Sequence, residues 1–339
     1  MLIMGIESSC DETAVALIRR GGKNEVIREK IKSQIPLHKK FGGVVPEIAS
    51  RSHYEVIDKL TKNVLSESGT KLSEVDLIAV TQGPGLIGSL LIGLSFAKGL
   101  SYSSGIPLIG VDHIQAHIES PFITQNIEYP LIALVVSGGH TTIFHQSSRF
   151  ESEIFAATRD DAAGEVMDKV AKFLKLGYPG GPILDKIYPE GDHKKFQFTI
   201  PKMSDGSMDF SFSGYKTAAL RIFEKYKIKP YSNDFKDLIS SFMDGIIDYL
   251  ILKLKQSIEK FDPKNVIIAG GVSRNTLLRK RAVSELGKDG RKVFLPEKEY
   301  CTDNATMVAW YGYEKFRSYP DANYFDRSIN SYSRSRLII

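Results

Sequence analysis

Apolar and polar positions alternate in blocks at the start of the chain. The apolar run Leu2-Ile3-Met4-Gly5-Ile6 gives way to Ser8-Ser9-Cys10-Asp11-Glu12-Thr13, and then to Ala14-Val15-Ala16-Leu17-Ile18. Two short apolar runs about a small polar turn predict a β-hairpin. Residues 131–144 repeat the plan: Leu131 to Val136, the turn Ser137-Gly138-Gly139-His140-Thr141, then Thr142-Ile143-Phe144.

A second pattern also occurs twice. Val75 to Val80 reads as a strand, followed by Gly83-Pro84-Gly85 and a helix-compatible run from Leu86 to Leu100; Val266 to Ala269 reads as a strand, followed by Gly270-Gly271 and a helical run from Asn275. The order of units is the same in each half, so the pattern predicts a structural duplication. The spacing between the two kinds of unit is longer in the second half by roughly 60 residues, which points to an insertion there. It is expected near 155–235, where Tyr178-Pro179-Gly180-Gly181-Pro182 and Phe210-Ser211-Phe212-Ser213-Gly214 lie. Long helices are predicted where Leu238, Ile239, Phe242, Ile246, Leu250, Leu254 and Ile258 recur at helical steps, and where Ile48, Val56, Ile57, Leu60 and Val64 do so after Pro46. Such stripes are core faces.

The chain has 339 residues, 42% of them hydrophobic, which is enough for about two domains with sizeable cores. Two cysteines exclude a disulfide framework or a Cys-based zinc ribbon. The N-terminus lacks the positive leading region of a signal peptide and soon meets Asp11 and Glu12. The uncharged run Leu77 to Ala97 is broken by Thr81-Gln82-Gly83-Pro84-Gly85 and predicts a buried strand turning into a helix, with no membrane span. A soluble, cytoplasmic α/β protein is expected. The net charge of +5 permits a polyanionic partner but is too small to argue for one. Locally it is stronger: residues 19–40 hold Arg19, Arg20, Lys23, Arg28, Lys30, Lys32, Lys39 and Lys40 against Glu25 and Glu29. The tail interleaves Tyr324, Phe325, Arg327, Tyr332, Arg334 and Arg336. Basic plus aromatic surface suits RNA; a solvated face is the alternative.

Several motifs carry candidate chemistry. In Ser137-Gly138-Gly139-His140-Thr141, adjacent glycines either let backbone amides converge into an anion nest or simply make a tight turn. Gly270-Gly271-Val272-Ser273-Arg274-Asn275 ends a strand and opens a helix, with Asn275 as a cap or a ligand contact. Gly83-Pro84-Gly85-Leu86-Ile87-Gly88 matches a dinucleotide fingerprint, but a hairpin precedes it in place of a leading βαβ unit; no P-loop and no G-x-S-x-G occurs. His113-Ile114-Gln115-Ala116-His117 puts two imidazoles one helical turn apart, suited to one metal, while Gln115 stands where a zinc protease needs its general-base Glu. In Cys301-Thr302-Asp303-Asn304-Ala305, Asp303 is either a third ligand or a helix N-cap. Two imidazoles and one carboxylate would suit Fe(II) or Zn(II). Asp11 and Glu12 are either proton-handling acids or solvated turn residues.

Together with Gly5-Ile6-Glu7-Ser8-Ser9-Cys10-Asp11-Glu12-Thr13, Gly42-Gly43-Val44-Val45-Pro46-Glu47 and Phe210 to Thr217, these stretches, in this order, resemble the tRNA threonylcarbamoyladenosine transferase family. The family is called TsaD in bacteria and was earlier described as O-sialoglycoprotein endopeptidases. The resemblance covers nearly the whole chain and points to the bacterial branch. It implies a duplicated actin/Hsp70/sugar-kinase (ASKHA) α/β fold with a central cleft, its lobes at residues 1–128 and 129–339 and the C-terminal helix packing back on the first. It implies transfer of threonylcarbamoyl from threonylcarbamoyl-AMP to N6 of adenosine 37 in tRNAs reading ANN codons, releasing AMP. It also implies iron or zinc on His113, His117 and Asp303; donor contacts from Val135, Val136, Ser137, Gly138, Gly139, Asp168, Gly181, Asp185 and Asn275; and, as partners, tRNA, a TsaB-like paralogue, a TsaE-like ATPase and a synthase that supplies the donor. Asp11 is the candidate catalytic proton-handling group. A metalloprotease, a small-molecule kinase of the same fold and a non-catalytic nucleotide-binding scaffold are the rival readings.

Overall fold

The computed structural model describes residues 1–22, 24–288, 290–326 and 328–333, and the chain divides into two units. Of the described residues, the first holds Met1–Ile123 and those from Thr302 to Ser333; the second holds those of Thr124–Cys301.

In the first unit, β1 (Leu2–Glu7) and β2 (Glu12–Arg19) pair antiparallel about the predicted polar turn. β3 (Glu25–Ser33) joins the far side of β2, while β4 (Leu77–Gly83) pairs parallel with β1 and β5 (Leu108–Asp112) parallel with β4. The sheet order is β3-β2-β1-β4-β5. β1, β2 and β4 are apolar at nearly every position because both faces are covered. Met4, Ile6, Val15, Leu17, Ile78 and Val80 pack with Ile57, Val64, Leu94 and Ala97 of the helices Pro46–Ser68 and Ile87–Ser104. On the other face the residues are small: Ala14 and Ala16 meet Ala305, and a Cβ added to Gly5 would collide with the Ala305 carbonyl. Small side chains there let the helix Ala305–Ser318 lie close on the sheet. The uncharged run from Leu77 is therefore a buried strand followed by a helix. Among the described residues no helix is long and apolar enough to cross a membrane.

The second unit repeats the pairing. β6 (Leu131–Val136) is antiparallel to β7 (Thr141–Ser148) and parallel to β9 (Asn265–Ala269), as β1 is to β2 and β4. β8 (Glu151–Ala157) and β10 (Lys292–Phe294) complete the order β10-β9-β6-β7-β8. The apolar stripe from Leu238 to Ile258 belongs to the helix Asn233–Phe261, whose first turn is capped by Ser232 Oγ accepting from the Phe235 amide (3.2 Å). Between β8 and this helix lie three further helices, Ala163–Phe173, Gly180–Ile187 and Ser213–Lys225. Phe210, Phe212, Tyr215 and Tyr249 form an aromatic cluster that ties the last of these helices to the long one.

β3 went unread in the sequence because its composition is that of a solvated loop. It is the sheet's edge strand, where charge discourages pairing with another chain. The basic segment around it changes meaning accordingly. Arg20 is buried against Glu314, Arg28 and Lys30 pair with Glu67, and Arg19 pairs with Glu25. Four of the seven described cations in that segment thus have acidic partners within the fold. Lys23 and the tail residues Arg327, Arg334 and Arg336 lie outside the described residues.

Candidate metal centre and glycine-rich loops

The seven-residue helix His113–Glu119 follows β5 directly and is buried throughout. Asp112 starts it: Asp112 Oδ1 accepts from the amides of Ile114 (2.9 Å) and Gln115 (3.0 Å). One turn apart, His113 and His117 meet edge to face with ring centroids 4.6 Å apart. Their Nε2 atoms converge on one oxygen, Asp303 Oδ1, at 3.5 and 3.1 Å. The sequence left open whether Asp303 caps the next helix. It does not, because Asn304 Oδ1 takes that role, accepting from the Met307 amide at 2.8 Å. Asp303 is thereby left facing the imidazoles.

This geometry fits a metal ion. With bonds of about 2.0–2.2 Å, two ligands of one tetrahedral or octahedral cation lie about 3.0–3.5 Å apart. The surrounding charge fits as well. Burial pushes His113 down, but Glu7 and Asp303 outweigh it and hold the imidazole raised, at about 9. Burial lowers His117, only partly opposed by Asp303. Asp11 and Glu12 are raised by burial and then by the Asp303 charge, Glu12 to about 9. Glu7 and Asp303 on the two imidazoles, with Asp11 and Glu12 close enough to feel the Asp303 charge, make a setting that a divalent cation would relieve.

Two supporting residues were missed in the sequence. Glu7 ends the apolar strand β1, is fully buried, and sits with Oε2 3.1 Å from His113 Nδ1; it also accepts from Thr81 Oγ1 (2.5 Å) and the Ser9 amide. Burial raises its pKa, but the His113 charge outweighs this and the carboxyl stays below its ordinary value. A carboxylate on the far nitrogen of a ligating histidine fixes its tautomer and orientation. An acid closing an otherwise apolar strand was the signal available. Glu29 had none: from β3 its Oε1 accepts the amides of Ala305 (2.7 Å) and Thr306 (2.9 Å) at the start of the helix after Asp303. The Glu7→Gln protein is expected to bind metal about 10–100-fold more weakly. Chelator competition measures this, and an affinity equal to wild type would remove Glu7 from the centre.

The second unit gathers the remaining predicted residues. Ser137 Oγ accepts the amides of Gly139 (3.3 Å) and His140 (3.1 Å), so the turn is organised by its own serine. A Cβ added to Gly138 or Gly139 would meet nothing within 4 Å, whereas Gly270, at φ +87°, faces the Val136 carbonyl at 2.6 Å from an added Cβ. Asp168 Oδ1 accepts the Gly180 amide (2.6 Å) beside Gly181, at the start of the helix Gly180–Ile187. Asp185 on that helix accepts from Asn275 Nδ2 (2.8 Å) and Thr276 Oγ1 (2.9 Å). Asn275 also caps the helix Thr276–Leu286 through the Leu278 amide (2.9 Å). One short helix therefore connects Asp168, Gly181, Asp185 and Asn275.

Gly83, Gly85 and Gly88 face the chain itself. An added Cβ would collide with Tyr332, with the Ser9 carbonyl and with Ser50 Oγ, respectively. That accounts for the fingerprint-like spacing without a dinucleotide. Asp11 is half-buried in the β1–β2 turn, close enough to feel the Asp303 charge.

A family model described as TsaD, tRNA N6-adenosine threonylcarbamoyltransferase, matches residues 25–310. A protein of that name from Thermodesulfovibrio yellowstonii is 49% identical over 93% of this chain and 95% of its own length. One from Clostridium beijerinckii is 45% identical over 99% and 98%. Among solved structures, full-length HypF in a phosphate- and nucleotide-bound form aligns with a TM-score of 0.59 at 14% identity, over 96% of this chain and 56% of that one. The activator of the 2-hydroxyisocaproyl-CoA dehydratase from Clostridium difficile aligns at 0.53 and 11% identity, over 94% and 97%. These likenesses establish the duplicated α/β fold of the actin/Hsp70 class.

Proposed function

Since the chain belongs to the TsaD family of tRNA N6-adenosine threonylcarbamoyltransferases, we propose that it takes its donor group from threonylcarbamoyl-AMP and works with a divalent metal held by His113, His117 and Asp303. Threonylcarbamoyl transfer to N6 of adenosine in tRNA is the family's reaction. The finer reading is that the acceptor is adenosine 37 of tRNAs reading ANN codons, and that the enzyme acts in the cytoplasm with a TsaB-like paralogue, a TsaE-like ATPase and a donor synthase. The observation that carries the metal part of the reading is the convergence of both Nε2 atoms on Asp303 Oδ1.

In this reading the adenine N6 attacks the carbamoyl carbonyl carbon. The new N–C bond forms as the C–O bond to phosphate breaks, and AMP leaves with the electron pair. His113, His117 and Asp303 would hold Fe²⁺ or Zn²⁺, which would supply Lewis acidity toward the donor. An aromatic amine is a weak nucleophile, so orientation and proton removal dominate. Asp11 is the group assigned to the N6 proton. Burial and then the Asp303 charge raise its carboxyl above the ordinary value, in the direction a proton acceptor needs. The turn Val135 to Gly139 is assigned to the donor phosphate, which the open space beside Gly138 and Gly139 supports. Asp168, Gly181, Asp185 and Asn275 are assigned to its nucleoside end, supported by their connection through one helix.

Unmodified tRNA incubated with threonylcarbamoyl-AMP, the protein and its partners is expected to yield threonylcarbamoyladenosine by nucleoside mass spectrometry. No product with competent partners present sinks the reading.

A further inference from the structure

Beyond the helix Ala305–Ser318, the described residues up to Ser333 lie along β5 and the end of β4. The Leu108 amide donates to the Tyr324 carbonyl (2.8 Å), Gln82 Nε2 to the Asn330 carbonyl (2.8 Å), and the Tyr332 amide to the Gln82 carbonyl (3.3 Å). Ile329 packs on the core of the first unit. Two glycines make room for this strap. An added Cβ at Gly83 would collide with the Tyr332 carbonyl and ring, and one at Gly110 would collide with Oε1 of Gln82, the residue that bonds the strap, and stand 3.1 Å from Ile329 Cγ2. At Tyr332 the strap reaches the metal-site helix, where its hydroxyl donates to Asp112 Oδ2 (2.6 Å). Asp112 Oδ1 is the cap on the amides of Ile114 and Gln115. One carboxylate thus joins the strap to the first turn of the helix that carries His113 and His117.

From these contacts we propose that Tyr332 is a positioning residue for the metal centre. Its hydroxyl fixes the Asp112 carboxylate in the capping orientation, and the cap fixes the turn from which His113 projects. A helix of seven residues has few internal hydrogen bonds with which to hold its own first turn, so an external constraint on the cap matters more than in a long helix. The distances between His113, His117 and Asp303 must hold within a few tenths of an ångström for a metal to be gripped, which makes the site sensitive to such a constraint. The inference rests on the reading of these three residues as metal ligands.

The test uses the full chain as wild type, Tyr332→Phe, which loses only the hydroxyl, and Tyr332→Leu, which also loses the ring. Two quantities are read: affinity for Co²⁺ with its visible spectrum, and hydrogen exchange at the Ile114 and Gln115 amides in the metal-free protein. Both variants are expected to bind Co²⁺ about 5-fold more weakly, by a similar factor, with an altered spectrum and faster exchange at those two amides. A Tyr332→Phe protein matching wild type in affinity, spectrum and exchange overturns the proposal, even if Tyr332→Leu is destabilised, because ring packing alone would then explain the strap. A wild-type Co²⁺ spectrum that does not respond to His117→Ala sinks the metal reading itself and the proposal with it. The amide exchange, measured without metal, tells that failure from a failure of the strap.

Discussion

The protein carrying both His113→Ala and His117→Ala is expected to lose its bound metal and at least about 10³-fold in modification activity, the scale of several kcal/mol of electrostatic stabilisation. Metal content per chain and single-turnover product formation measure the two losses. Full metal content and activity would refute these ligands. The single variants should separate in stability, because the two imidazoles have different partners. His113 Nδ1 faces the buried Glu7, so His113→Ala leaves that carboxylate without its cation and destabilises the metal-free protein. His117 Nδ1 has no hydrogen-bond partner and its Nε2 shares Asp303 with His113, so His117→Ala removes a ligand but leaves Asp303 its other imidazole. The thermal midpoint of the metal-free protein should therefore fall further for His113→Ala than for His117→Ala, although both lose metal.

Arg20→Ala is expected to destabilise the protein by about 3–5 kcal/mol, the range for breaking a buried ion pair from one side. Arg20 and Glu314 are both nearly inaccessible, and the guanidinium lies 3.4 Å from the centre of the Trp310 ring. Removing Arg20 therefore takes away a salt bridge and a cation–π contact and leaves Glu314 buried. The joint replacement Arg20→Met with Glu314→Leu should recover most of the loss, since neither partner is then left charged in the interior. Denaturant unfolding of the variants measures the difference. Lys32→Ala, which removes an exposed cation at the other end of β3, should change stability by no more than about 0.5 kcal/mol. Equal stabilities for Arg20→Ala and Lys32→Ala would mean that the pair contributes nothing.

The same arginine marks where sequence reading stopped. Counted along the chain, Arg20 belonged to a cluster of cations open to an RNA reading. In the structure it faces inward, because β2 ends where the helix Ala305–Ser318 brings Glu314 and Trp310 against it. That partner is 294 residues away, and no local pattern encodes it. Glu7 is an intermediate case. Its place at the end of an apolar strand was visible, but its task depends on His113, which β4 and β5 bring alongside. Asp303 was legible as a candidate, and the choice between ligand and cap was not, because it turned on which of two adjacent side chains reached the Met307 amide.

By itself the sequence determined the two hairpins, the strand–glycine–helix units, the long amphipathic helices and the pair of histidines one turn apart. Each follows from backbone periodicity and steric rules acting over a few residues, so a short window carries the whole signal. Only the tertiary structure decided that β3 is a charged edge strand, that four of the seven described cations around it are paired within the fold, and that Glu7, Glu29 and Tyr332 hydrogen-bond to His113, to the start of the helix after Asp303 and to Asp112. Those outcomes rest on burial and on hydrogen bonds between residues far apart in the chain. A buried charge must find its partner wherever the packed layers place one, and that place exists only once the sheet and its covering helices have come together.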